Sequence, residues 1–344
     1  MYDVIVIGAG PSGCEVARLV SKNGYDTLVI EEHPKIGIPT QCTGLVSFRI
    51  GKIPKKLILN KVKVAKFCCK NSYFYINSKK PMYVIDRRGY DLFLAKKAKK
   101  VGVEFKLKTR FLSFKRGKVI TSKGKFLTKI LVGADGPNSS VARAVGIKLP
   151  KNLLKAVQAK VKSNFESNSV ELWFGSNIAP NNFAWVVPEN EEIARVGLVC
   201  SDNPNQYFEK FLKKRFGKIK IIEKIGDVIR CGLIEKSVAK NVLLVGDAAC
   251  QVKPFSLGGL IYGKIGASFA ANACIKALEV NDFSENFFLK NYDILWKKKL
   301  RIPMMKGMFF RKLFSAFQNN ELFFSFVKDF GLVNLARFLD VDFI

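Results

Sequence analysis

Four apolar residues, 4–7, run straight into Gly8-Ala9-Gly10-Pro11-Ser12-Gly13, and helical spacing follows from Cys14 to Lys22. A second apolar run, residues 27–30, ends in Glu31 and Glu32. A short buried strand, a glycine turn, a helix and another buried strand make a βαβ unit, which belongs in a parallel sheet. In that setting Gly8 makes the tight turn and Gly10 lets backbone amides approach a pyrophosphate at the helix N-terminus. Gly13 lets helix and sheet close together, and Ser12 is counted with them among the cofactor-binding residues. Glu31, at the strand end 18 residues past Gly13, is placed to accept hydrogen bonds from ribose hydroxyls, with Glu32 as its neighbouring alternative. This much specifies a dinucleotide and not which one.

The unit does not stand alone. Residues 87–100 read as a helix, and residues 103–132 as a three-stranded meander turning at Arg116-Gly117-Lys118 and Lys123-Gly124-Lys125. The meander closes on Gly133-Ala134-Asp135-Gly136-Pro137-Asn138-Ser139. From 154 to 237 the pattern alternates in strand fashion around one helix near 206–215, as an antiparallel sheet does. A fresh buried strand, 242–245, then leads into Gly246-Asp247-Ala248-Ala249 and a helix near 258–278, so the chain returns to its nucleotide domain. The expected division is a nucleotide domain from 1–57, 85–153 and 237–285, a substrate domain from 58–84 and 154–236, and a C-terminal helical segment, 286–344. The loop 34–56 is rich in glycine and proline.

Composition narrows the class further. The 344 residues exceed one compact core, and no run of about 18 apolar residues occurs, so neither a membrane-spanning helix nor a signal peptide is expected. Eight scattered cysteines and the single histidine, His33, leave no metal site and point to a reducing cytoplasm. The net charge of +30 would attract anionic lipid, nucleic acid or an acidic protein, or it reflects a lysine-rich composition. In the tail, Phe310, Leu313, Phe314 and Phe317 share a helical face beside Lys306, Arg311 and Lys312. That pattern serves either an interfacial helix on anionic membrane or a helix packed across a domain joint.

The order and spacing of the Asp135 and Asp247 segments resemble the para-hydroxybenzoate hydroxylase-like FAD superfamily. The resemblance implies FAD, with Asp135 and Gly136 near it, Asp247 on the ribityl chain, and the Leu257-Gly258-Gly259 turn facing the flavin pyrimidine ring. Arg87, in Asp86-Arg87-x-x-Tyr90-Asp91, matches an arginine near the cofactor or makes a local ion pair. Within the superfamily, Pro39-Thr40-Gln41-Cys42-Thr43-Gly44 and Phe183-Ala184-Trp185-Val186-Val187-Pro188 resemble two motifs of the geranylgeranyl reductase family, over about residues 1–300. That family uses reduced FAD to saturate double bonds of isoprenoid chains. By resemblance, Cys42 and Gly44 lie close to the flavin, Cys42 serves catalysis, and Phe183, Trp185 and Pro188 line the substrate cavity. A buried inert thiol and ordinary core aromatics remain alternatives. Glu189 stands where the family commonly has lysine, and Leu257 replaces a glycine of the usual turn.

The expectation is therefore an α/β protein. It has a discontinuous Rossmann-type FAD-binding domain, an inserted, mainly antiparallel substrate domain and a C-terminal helical segment. It would reduce geranylgeranyl chains of membrane-lipid precursors, in the cytoplasm or on the membrane surface. With no second glycine motif, electrons must come from an external donor, ferredoxin or reduced nicotinamide. A flavin monooxygenase or halogenase is the alternative on this fold. An RNA-modifying flavoprotein is less expected because no nucleic-acid-binding module is recognisable.

Overall fold

The computed structural model describes residues 1–40, 42–70, 72–316 and 325. The chain opens with β1 (Tyr2–Ile7), α1 (Pro11–Lys22) and β2 (Thr27–Ile30). β3 (Leu45–Val46), β4 (Ile58–Cys69) and β5 (Ser72–Ile85) precede α2 (Arg87–Lys99). β6 (Glu104–Lys106), β7 (Phe111–Lys115), β8 (Lys118–Thr121) and β9 (Gly124–Gly133) lead to α3 (Ser140–Ala144). β10 (Leu153–Lys162), β11 (Ser169–Phe174), β12 (Ala184–Pro188) and β13 (Ile193–Cys200) are followed by α4 (Pro204–Phe216) and β14 (Lys220–Arg230). The described chain ends with β15 (Val238–Ala239), β16 (Val242–Leu244), α5 (Leu260–Val280), α6 (Glu285–Phe288) and α7 (Ile294–Ala316).

These elements form two compact units, with described residues 1–39, 88–152 and 230–305 in one, and those of 40–87, 153–229 and 306–316 in the other. The first holds a sheet ordered β15-β16-β9-β1-β2-β6, with β7 and β8 joined to β9. All pairs from β16 to β6 are parallel. Strands inside such a sheet are covered on both faces, which is why residues 4–7 of β1, 28–30 of β2 and 130–132 of β9 read as unbroken apolar runs. Val4, Val6, Leu28, Ile30, Ile130 and Val132 are wholly buried, each contributing about 1.5–3 kcal/mol.

Helix α1 begins with Pro11, whose ring suits the first helical position, and buries Gly13, Cys14, Val16, Ala17 and Val20. Its neighbour α5 buries Gly263, Gly266, Ala267, Ala270, Ala271, Cys274 and Ala277. Small side chains let the two helices approach closely. One expectation is revised here: residues 104–106 pair with β2 and extend the parallel sheet, so the meander consists of β7, β8 and β9.

The second unit holds a sheet ordered β14-β10-β13-β12-β11-β4-β5-β3, antiparallel in its assigned pairs except β11 with β4. Period-two alternation sorts its side chains. Val157, Ala159, Ala184, Val186, Val196 and Leu198 form a core with Phe208, Phe211 and Leu212 of α4. Residues 40–57, expected in the nucleotide domain, belong to this unit, where Leu45 and Val46 pair with Val84 and Tyr83. Of the tail from 286 onward, the described residues up to 305 belong to the first unit and 306–316 to the second. Phe317 lies outside the described residues. Among the described residues no helix is long and apolar enough to cross a membrane.

Candidate functional site

In the first unit the glycine loop is built by close backbone approach. Gly8 has φ +103°, and a Cβ there would lie 2.3 Å from the Ala134 carbonyl oxygen. A Cβ on Gly13 would lie 2.1 Å from the carbonyl oxygen of Gly8. At Gly10, by contrast, a Cβ would meet nothing within 4 Å, and no side chain caps α1. The N-terminus of α1 thus opens onto free space with its dipole positive, which is what a pyrophosphate requires.

Glu31 stands beside this opening. Its Oε2 accepts from the Ala9 N–H at 2.8 Å, and its Oε1 accepts from the His33 N–H at 2.9 Å. Glu32 is exposed. The structure therefore brings Glu31, and not Glu32, to the glycine loop. The Ser12 hydroxyl lies at two close glycine approaches: a Cβ on Gly246 would lie 2.6 Å from it, and one on Gly263 2.4 Å. The side chain packs toward α5, leaving the backbone N–H as the group at the helix end.

Asp135 also departs from a simple cofactor ligand. Ser139 Oγ donates to its Oδ1 at 2.6 Å, and the Ser140 and Val141 N–H groups donate to its Oδ2 at 2.7 and 3.1 Å. Burial pushes its carboxyl up, against the lowering effect of these bonds. Both oxygens hold the start of α3. Beside it, Gly136 has φ +79° and open space at its Cβ position. The adjoining loop is fixed by Arg230, which donates to the Pro137 carbonyl at 2.8 Å and Asn138 Oδ1 at 3.1 Å. Sequence reasoning missed Arg230 because it lies 93 residues from Pro137.

Asp247 follows β16 in a 3-10 turn, Gly246–Ala249. Within residues 242–254 it alone is exposed. Its Oδ1 would lie 2.6 Å from a Cβ on Gly259, the residue capping α5. Lys253 is 8% exposed, and its Cε would lie 2.9 Å from a Cβ on Gly258. The Gly258-Gly259 turn is thus flanked by a carboxylate and by a lysine that sequence reasoning missed. Leu257 enters this turn with φ +62°. A bulky side chain in the left-handed region is strained, and strain of this kind gathers at functional turns. This is a conformation that glycine adopts without strain, in keeping with the glycine that the family resemblance implies here.

In the second unit, Cys42 is half-buried, whereas the other seven cysteines are buried. The Gly44 N–H donates to its Sγ at 3.3 Å. Gly44 has φ +73°, and a Cβ there would lie 2.5 Å from Arg195 Nη1 and 2.7 Å from the Ile85 carbonyl oxygen, with the Arg87 side chain next. Arg87 thus lies beside the Cys42 loop.

Trp185 occupies a row set by strand register, with Gly197 as its partner on β13 and Gln158 beyond it on β10. Its indole lies over Gly197, where a Cβ would come within 2.4 Å of the ring. A glycine inside a strand often marks such an approach. Phe183 lies 6.0 Å from Trp185, Phe174 6.2 Å from Phe183, Phe67 6.0 Å from Phe174, and Phe74 5.0 Å from Phe67, between ring centroids. These rings make a continuous aromatic face. Pro188 has the strand parity of Ala184 and Val186, whose side chains join the α4 core, so it does not share the face of Phe183 and Trp185.

Glu189 is buried with two cationic partners, Arg195 Nε on Oε1 at 2.7 Å and Lys160 Nζ on Oε2 at 2.7 Å. Burial pushes its carboxyl up, but the two cations outweigh that and hold it below the usual carboxylate range. The carboxylate of Glu189 is thus matched by cations on β10 and β13.

Residues 153–229 match the model of the geranylgeranyl reductase catalytic domain, and residues 6–43 match that of an NAD(P)-binding Rossmann-like domain. A digeranylgeranylglycerophospholipid reductase of Methanocaldococcus jannaschii is 30% identical, over 94% of this chain and 89% of that protein. The chain belongs to the geranylgeranyl reductase family. A geranylgeranyl bacteriochlorophyll reductase-like protein from Thermoplasma acidophilum superposes with a TM-score of 0.84 at 27% identity, covering 90% of this chain and 87% of that one. The flavin-dependent brominase Bmp2 superposes at 0.74 with 18% identity, covering 92% and 89%, and shares the fold. The family's FAD fits the first unit: open space at Gly10, an uncapped helix N-terminus and the inward carboxylate of Glu31 suit its adenosine diphosphate portion.

Proposed function

We propose that this protein is an FAD-dependent reductase that saturates carbon–carbon double bonds of geranylgeranyl chains in membrane-lipid precursors. The observation that carries the reading is the aromatic face from Phe74 to Trp185, in the unit that also holds the half-buried Cys42. A face of contiguous rings suits a long, branched hydrocarbon and offers it little polar competition. The name of the 30%-identical relative, a digeranylgeranylglycerophospholipid reductase, supports the same substrate class.

When bound, FAD supplies the hydride, from N5 of its reduced ring. The chain's own groups do the rest. The α1 N-terminus and Glu31 hold the pyrophosphate and ribose, and Asp247 takes the ribityl hydroxyls. The N-terminus of α5, with Lys253, favours negative charge at the ring. Phe183 and Trp185 seat the prenyl chain and exclude water, which matters because an isolated alkene has no carbonyl to polarise. Cys42 delivers the proton to the second carbon.

Electrons come from an external carrier, a small acidic ferredoxin or a reduced nicotinamide, the first suited to a net charge of +30. Peripheral attachment to anionic lipid is assigned to α7. Ile302, Met305 and Phe309 are 65, 48 and 63% exposed there, among exposed Lys298, Lys299, Arg301, Lys306 and Lys312. Flotation with anionic vesicles, weakened by Ile302→Asp and Phe309→Asp, checks this. The halogenase alternative rests on fold likeness alone.

The test of the reaction is mass spectrometry of geranylgeranyl lipid incubated without oxygen with chemically reduced holoenzyme. Two hydrogens gained per double bond support the reading; an unchanged lipid sinks it.

A further inference from the structure

The loop carrying Cys42 and the strand carrying Trp185 meet at one atom. Thr43 Oγ1 donates to Gln158 Oε1 at 2.7 Å, and Trp185 Nε1 donates to the same oxygen at 3.2 Å. An indole N–H can only donate, so the amide oxygen must face it, and the Thr43 hydroxyl is then the second donor. The distance across which Trp185 reaches is set by Gly197, the residue between them in the row, which leaves room for the ring to lie over the backbone.

The backbone of the loop is fixed separately. Arg195 Nη1 donates to the Thr43 carbonyl at 2.6 Å and to the Ile85 carbonyl at 3.1 Å, while the Ile85 N–H donates to the Gly44 carbonyl at 2.9 Å. Glu189 holds the guanidinium in turn, and Lys160 holds the other oxygen of Glu189. The carbonyls of Thr43 and Gly44 are therefore anchored on one side. Gln158 makes the side-chain link from this loop to the aromatic face.

We propose that Gln158 is a positioning residue for the reaction, its side-chain oxygen fixing Cys42 relative to Trp185 through two accepted hydrogen bonds. This rests on the reading that Cys42 and Trp185 serve prenyl reduction. A proton donor displaced by about 1 Å can lose on the order of a hundredfold in rate, so a link of two bonds has leverage beyond its own strength. The required property is acceptance, not the amide: a carboxylate accepts the same two bonds, whereas leucine of similar size accepts neither.

The experiment uses two readouts that need no substrate. Because the other seven cysteines are buried, alkylation of native protein by iodoacetamide reports Cys42. Emission after removal of Trp173 and Trp296 by phenylalanine reports Trp185. In that background Gln158→Leu is expected to speed alkylation at least about fivefold and to shift the emission, since the loop and the indole each lose their tie. Gln158→Glu is expected to return both to within about twofold of the parent, as an acceptor is restored. If Gln158→Leu does not fold, Thr43→Val gives the same alkylation test and Thr43→Ser its rescue. With prenyl lipid, Gln158→Leu is expected to lower kcat by about tenfold or more. Alkylation and emission unchanged in Gln158→Leu, or changed as much in Gln158→Glu, overturns the proposal. A parent protein that reduces no prenyl lipid, with Cys42 freed in Gln158→Leu, overturns the functional reading and leaves the positioning link standing.

Discussion

The glycine loop of the first unit and the Trp185 row of the second both depend on glycines, but the glycines make room for different things. At Gly8 and Gly13 the neighbour is a backbone carbonyl, 2.3 and 2.1 Å from where a Cβ would stand. At Gly197 it is mainly the rim of an indole, 2.4 Å away, with the Val157 carbonyl at 2.7 Å. Backbone inside a parallel sheet cannot retreat, whereas a ring can turn. The first region is therefore fixed by its main chain, as the proposed cofactor site requires, and the second is tuned by side chains, as the proposed substrate site requires.

That contrast breaks most visibly at Gly8. Gly8→Ala combines a positive φ with the carbonyl clash, and we expect a loss of about 4 kcal/mol or failure to accumulate folded protein, read by urea unfolding. A normal unfolding midpoint would mean that the loop is as adaptable as the second sheet.

Glu189→Gln comes next. It leaves Arg195 without its buried carboxylate and is expected to cost about 3 kcal/mol. The sign of the pH effect follows from the depressed pKa: the ionised carboxylate contributes stability above its unfolded pKa, and that part is lost as pH falls through the lower folded value. The parent should therefore lose stability on acidification in this range more steeply than Glu189→Gln. Parallel curves would remove the ion pair from the account.

Gly197→Ala should cost about 1–3 kcal/mol, with the indole displaced and the Trp185 emission altered. Gly10→Ala sharpens the comparison from the opposite side. Its backbone is φ −70°, ψ 177°, and a Cβ there meets no protein atom within 4 Å. Thermal stability of the apoprotein should stay within about 0.5 kcal/mol. FAD affinity should fall at least about tenfold if, as proposed, the pyrophosphate lies against Gly10. Unchanged affinity would place the pyrophosphate elsewhere. The smallest effect is at Leu257, where replacement by glycine should relieve the left-handed strain and raise stability by about 1 kcal/mol; a loss would show that burial of the side chain outweighs it.

The same contrast governs what could be read from the chain. The βαβ unit was legible because its signals are local: strand, glycine turn, helix and Glu31 lie within the first three dozen residues. The strands of the second sheet were legible from alternation. What escaped was register. Gln158, Trp185, Arg195 and Gly197 come together through β10, β12 and β13, and no spacing in the sequence announces which residues face one another. Orientation escaped as well. Ser12 and Pro188 lie on the expected elements, but the sequence did not show that the Ser12 hydroxyl lies against Gly246 and Gly263 or that strand parity places Pro188 on the α4 side. Asp135 lay in the expected loop, yet three donors from the start of α3 claim its oxygens.

With reduced FAD bound, this protein would saturate a prenyl double bond of its lipid substrate. The most direct measurement is rapid anaerobic mixing of reduced holoenzyme with geranylgeranyl lipid and, separately, with the fully saturated lipid, following the return of oxidised-flavin absorbance. The account predicts reoxidation with the unsaturated lipid, none with the saturated one, and loss of the fast phase in Cys42→Ala. Flavin that stays reduced with both lipids, and reoxidises only when oxygen is admitted, would contradict it.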